Sequence, residues 1–137
     1  MTKESIEKYY SEFNNLFFFN KLPDLSHITI SIDNKPEGDF LGYSEIDMKR
    51  SDIDKGDIYY NICMNEGHEM TPIEERSVLC HEMIHIWQWN DINFEKYDSD
   101  YSWKNGHNSS FISKMNSINY LSKEYGIDLK IELFALK

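Results

Sequence analysis

Cysteine is scarce in this chain: Cys63 and Cys80 are the only two among 137 residues. Two thiols cannot build a disulfide framework or a four-cysteine zinc site, so the expectation is a pair of reduced, buried cysteines. Glycine and proline are also few, at six and three. No Pro/Gly/Ser-rich stretch or repeat divides the sequence, and residues 1–137 read as one domain without a cysteine-rich zinc ribbon. Long apolar runs are missing too, since nothing approaches the roughly 20 apolar residues that cross a bilayer. The start, Met1-Thr2-Lys3-Glu4-Ser5-Ile6-Glu7-Lys8, lacks the apolar stretch of a signal peptide. A cytoplasmic protein that does not enter a membrane is expected. Basic residues are the minority, 14 Lys+Arg against 24 Asp+Glu for a net charge of −10, and Lys49-Arg50 is the only adjacent basic pair. Such a chain repels polyanions, which disfavours nucleic acid as a partner.

What is present is enough apolar material for a core, 40% hydrophobic and 15% aromatic. Ile6, Tyr9, Tyr10, Phe13, Leu16 and Phe17 recur at three- and four-residue steps, which predicts a helix from Thr2 to Asn20 that ends before Leu22-Pro23. Three β-prone stretches follow, His27 to Asp33, Phe40 to Ile46 and Ile58 to Met64, and predict a small three-stranded antiparallel sheet. A second helix opens at Thr71-Pro72-Ile73-Glu74. There Thr71 caps the free amides, Pro72 suits the first helical position, and Glu74 completes a capping box. Its apolar residues continue to about Asn90. Asp91 to Gly106 has no sustained period and reads as a loop. A last helix is predicted from about His107 to Tyr125, stopped by Gly126, with Asp128 to Phe134 as an additional strand. The fold class is α+β.

Residues 81–85, His81-Glu82-Met83-Ile84-His85, fall inside the capped second helix. At about 100° per residue, His85 lies only about 40° around the helix from His81 and one turn along it, so both imidazoles reach one ion. Glu82 borders the same site as a base acting on a metal-bound water. The ion this pattern implies is Zn2+. A catalytic zinc needs a third protein ligand, and the candidates are His27, His68, His107 and carboxylates such as Glu124. His107 is the favoured one, because it stands at the start of the next helix with Phe111 one turn later. The residues after His85, Ile86-Trp87-Gln88-Trp89-Asn90, exclude a metzincin pattern. Trp87 and Trp89 are candidates to line a cleft, with one of them in the core.

Beyond this helix the chain resembles the SprT-like metallopeptidases, the family that includes the catalytic domain of Spartan. The resemblance is carried by Phe13-Asn14, Phe19-Asn20 and Leu22-Pro23, by Leu41-Gly42-Tyr43, by Ile62 to Asn65, and most strongly by Val78-Leu79-Cys80-His81-Glu82-Met83-Ile84-His85. His107-Asn108-Ser109-Ser110-Phe111 is similar to the family's H-G-x-x-F, with Asn108 in place of the common Gly. The resemblance implies a zincin-like fold, zinc held by His81, His85 and His107, and Glu82 as general base of peptide-bond hydrolysis.

The expected function is therefore zinc-dependent proteolysis of protein or peptide substrates. An extended substrate is expected to align on an exposed sheet edge, the Ile58 to Met64 strand. Tyr97, Tyr101 and Arg76 are candidates to stabilise the transition state. Two alternatives stand beside this expectation. One is a catalytically silent zinc-binding interaction module. The other is a DNA-recruited protease of the Spartan type, which the family resemblance admits despite the acidic charge.

Overall fold

A computed structural model describes residues 1–90 and 106–133. Helix α1 spans Lys3–Phe18. Thr2 caps it, with the Thr2 hydroxyl accepting from Ser5 N and the Ser5 hydroxyl facing the Thr2 backbone in a reciprocal capping box. Ile6, Tyr10, Phe13 and Phe17 form its buried stripe, as their spacing predicts. The helix stops where Phe19 and Asn20 take positive φ values of 55° and 59°. Asn14 secures the exit: its side chain donates to Leu22 O at 3.0 Å and accepts from Leu22 N at 3.1 Å, as a neighbouring strand would.

The sheet comprises β1 (Ile28–Asp33), β2 (Gly42–Ile46) and β3 (Tyr60–Asn65), in spatial order β1-β3-β2. It is mixed rather than antiparallel, because β1 and β3 run parallel while β2 pairs antiparallel to β3. The reason is burial. Tyr60, Ile62, Cys63, Met64 and Asn65 are buried in near-continuous succession, so β3 needs cover on both faces and takes the central place. The segment 34–41 carries the chain past β3 to the far edge. Ile58 to Met64 is therefore not an exposed edge, and the edges are β1 and β2.

Asn65 holds that crossing segment in place. Its amide accepts from Lys35 N and Gly67 N and donates to Lys35 O and Phe40 O, all at 2.9–3.0 Å. Gly67 is needed beside it, since a Cβ there would lie 2.6 Å from the Lys35 backbone.

Helix α2 spans Pro72–Asn90 and starts as predicted, with Thr71 Oγ1 accepting from Glu74 N at 3.2 Å and Glu74 Oε1 accepting from Thr71 N at 3.3 Å. Every residue from Ser77 to Ile86 is buried, which marks it as the central helix. It packs against α1, β2, β3 and helix α3, Ser109–Glu124. Gly126, at φ 69°, ends α3, with Ile127 N bonded to Ser122 O and Gly126 N to Lys123 O.

The described part of the expected last strand, residues 128–133, is irregular instead. Its backbone groups pair with helix side chains: Lys130 N with Ser77 Oγ at 2.8 Å, and Ile131 N and O with the Asn119 amide at 2.8 and 3.0 Å. Side chains of α2 and α3 do here what a strand ladder would have done. The predicted loop from Asp91, up to Asn105, lies outside the described residues. Among the described residues, no helix is long and apolar enough to cross a membrane. Cys63 and Cys80 are both free and buried.

Candidate metal centre

Three imidazoles meet between α2 and the turn that opens α3. His81, His85 and His107 are each less than 10% exposed, and one ring nitrogen from each lies within 4.8 Å of the others. His107 Nε2 is 3.1 Å from His81 Nε2 and 3.3 Å from His85 Nε2. Two nitrogens bonded to one tetrahedral zinc stand about 3.3 Å apart, so these spacings fit the edges of such a site. Phe111 backs all three rings, with centroid separations of 4.7, 4.8 and 5.0 Å. His107 thus arrives on the residues just before α3, while its i+4 neighbour supplies the apolar floor.

The tautomers suit ligation. Glu132 O can only accept, so the contact at 2.8 Å places the His81 proton on Nδ1 and leaves its Nε2 with a lone pair. His85 Nδ1 lies 2.9 Å from Gln88 Oε1, which does the same for its ring. Burial lowers the His81 pKa to about 4, against the opposing Glu132 hydrogen bond. Burial, reinforced by the neighbouring His81, lowers that of His85 to about 3. Both are neutral donors at physiological pH. One ring nitrogen from each histidine converges on a common point, where a cation can be shared by all three. The residues present therefore fit a metal ion.

Glu82 lies beside this cluster, 6% exposed, and its Oε1 accepts from the Ser44 hydroxyl at 2.8 Å. Burial pushes its carboxyl up to about 7, opposed by that hydrogen bond. Ser44 reaches it because β2 lies close to α2 at Gly42. A Cβ there would stand 2.9 Å from Val78 Cγ1 and 3.0 Å from Cys63 O.

The other candidates lie elsewhere. His27 bonds Asp57 at 2.7 Å and stacks on Tyr59, and His68 Nε2 contacts Gly38 O across the loops. Glu124 is the last residue of α3 and does not join the cluster. Arg76 donates to Asp128 O, tethering the irregular 127–133 segment rather than facing the imidazoles. Tyr97 and Tyr101 lie outside the described residues. Trp87 and Trp89 are both partly buried against the core; Trp89 stacks on Tyr60 and Lys114 lies over Trp87.

Sequence reasoning missed Ser44, Gln88, the capping role of Asn108 and the Glu132 carbonyl. Gln88 had a faint signal, a polar side chain three residues after His85 between two tryptophans. Ser44 and the Glu132 carbonyl had none. Asn108 proves to be the N-cap of α3, accepting from Ser110 N and Phe111 N. A side-chain oxygen does there what no glycine could.

No curated protein and no solved structure gives a significant match to the chain. Against known families, residues 6–131 match the SprT-like family, a span that takes in most of α1, all of α2 and α3, strands β1 to β3 and the converging histidines. With nearly the whole chain matched, this protein belongs to the SprT-like family.

Proposed function

We propose that the chain is a zinc-dependent metallopeptidase acting on protein or peptide substrates in the cytoplasm, with His81, His85 and His107 holding the metal and Glu82 as general base. The observation that carries this reading is the buried Glu82 carboxylate, oriented by Ser44 at the edge of the three-histidine cluster. A site that only held metal would have no use for a desolvated carboxylate, whose burial is costly.

Three imidazoles with no thiolate suit zinc with a fourth position left for water. Zinc, when bound, supplies Lewis acidity to polarise a carbonyl and to acidify water. Glu82 takes a proton from the attacking water and returns it to the leaving nitrogen, and burial, by raising the proton affinity of its carboxyl, suits it to accept that proton. Phe111 and the surrounding core exclude bulk water and fix the ring planes. Strand β2 supplies the sheet edge beside Glu82, so an extended substrate is assigned to β2 rather than to the central Ile58 to Met64 strand.

Bound zinc and cleavage of a panel of unfolded proteins, measured with and without DNA, test this reading on the native chain, Glu82→Gln and His107→Ala. Glu82→Gln should keep zinc and lose cleavage, and His107→Ala should weaken the metal. A native protein that holds zinc and cleaves nothing under either condition would overturn the peptidase reading in favour of a zinc-stabilised interaction module. Cleavage that requires DNA, with salt-sensitive DNA binding, would indicate the DNA-recruited form instead.

A further inference from the structure

Gln88 is completely buried, three residues after His85 on α2. Its Oε1 lies 2.9 Å from His85 Nδ1. Its Nε2 lies 2.9 Å from Gly106 O, 3.0 Å from Ser110 Oγ and 3.3 Å from Asn108 Oδ1. Gly106 O is a backbone carbonyl and can only accept, which fixes the amide with Nε2 toward the 106–110 turn and Oε1 toward His85. Asn108 Oδ1 is committed as an acceptor by Ser110 N at 3.0 Å and by the Ser110 hydroxyl at 2.6 Å. The Ser110 oxygen is thereby left to accept from Gln88. The two amide hydrogens thus go to the closer acceptors, Gly106 O and Ser110 Oγ, with Asn108 Oδ1 a longer third contact.

Gly106 and Asn108 flank His107 in the chain. A single side chain thus grips the backbone before the third histidine and the cap after it, while its other end sets the tautomer of the second. We propose that Gln88 is the positioning residue of the metal centre, coupling the orientation of His85 to the placement of His107 so that both ligands converge on one ion. This rests on the metal-centre part of the proposed function and is independent of whether the chain cleaves peptides. Burying a primary amide in a core this apolar is tolerated only with its bonds satisfied. Here all of those bonds run to the ligand-bearing turn or to a ligand.

Zinc affinity by competition with a chromophoric chelator, and the visible absorption of the Co2+-loaded protein, test the proposal. Gln88→Met keeps volume and removes both functions; the expected loss of zinc affinity is on the order of 10–100-fold, with a changed Co2+ band pattern. Gln88→Glu keeps the acceptor for His85 and loses the donors to the turn, so it should fall between Gln88→Met and native. The decisive comparison is a double-mutant cycle with His107→Ala. With no third imidazole to place, Gln88→Met should cost less affinity than it does in the native background. Equal losses in the two backgrounds, or native affinity and Co2+ spectrum in Gln88→Met, would overturn the proposal while leaving the metal centre standing. If Gln88→Met does not fold, the same cycle with the isosteric Gln88→Glu decides. Failure of the native chain to bind zinc or Co2+ at all would overturn the metal-centre reading itself.

Discussion

His81 donates its Nδ1–H to the carbonyl oxygen of Glu132 across 51 residues of sequence. Because the acceptor is a backbone atom, no substitution at position 132 deletes it. Control of that hydrogen bond passes to whatever docks the irregular segment 127–133 against α2 and α3.

Asn119 is the main clamp on that segment, pairing with both backbone groups of the buried Ile131. Asn119→Leu should destabilise the metal-free chain by roughly 1–3 kcal/mol, since it strands a buried donor and acceptor. Zinc affinity should fall in the same variant as Glu132 O loses its register with His81. Urea unfolding and a zinc titration check the two parts; a destabilised variant with native zinc affinity would show that the segment does not orient His81.

Ser44→Ala removes the hydroxyl that holds Glu82 Oε1 without touching a histidine. Zinc content should remain native, while turnover of an unfolded-protein substrate drops about tenfold, the loss expected for one hydrogen bond to a charged group. Ser44→Thr should restore most of it. Full activity in Ser44→Ala would show that the packing around Glu82 positions it unaided.

Removing metal exposes the pH dependence of the buried site. Glu82 has a folded pKa of about 7 against an ordinary value of 4.5, so its contribution to stability is full below pH 4.5 and is lost as pH rises to 7. His81 and His85 act oppositely. Their folded values of about 4 and 3 lie below 6.5, so their contribution is present above pH 6.5 and lost as pH falls. Glu82→Gln retains both histidines and carries no titrating carboxyl. In chelator, it should therefore exceed the native chain in stability by roughly 2–3 kcal/mol at pH 8, with the gap closing toward pH 5. Urea denaturation across that range checks it, and a gap that is flat with pH would contradict the burial of an ionisable Glu82.

Local chemistry made much of the fold legible. The Thr71/Glu74 capping box, the Gly126 stop and the α1 stripe each depend on residues a few positions apart, and each appears where the sequence places it. His81 and His85 are legible for the same reason, since one helical turn brings them together. His107 needed more. Its approach depends on Phe111 packing behind the rings, which stands one turn later and pointed to it, and on the Asn108 cap, which the sequence did not signal.

Strand pairing was less legible. Each strand reads alike in isolation, and parallel or antiparallel pairing depends on which strand must be covered on both faces. The continuous burial of β3 decides that, and continuous burial is a property of the packed molecule. The irregular 127–133 segment carries an alternation weak enough to suggest a strand, yet its partners are side chains from helices more than ten and fifty residues away.

By itself, the sequence determined the helices, the Thr71/Glu74 cap of α2, the two-histidine face of α2 and the carboxylate between them, because these follow from the 3.6-residue period and from contacts spanning a few residues. Tertiary structure alone decided that β2 borders the site, that Ser44 meets Glu82, that Gln88 grips both sides of His107, and that a distant carbonyl sets the His81 tautomer. Those contacts join segments far apart in the chain. Their geometry is set by how the core closes, which no short-range spacing encodes.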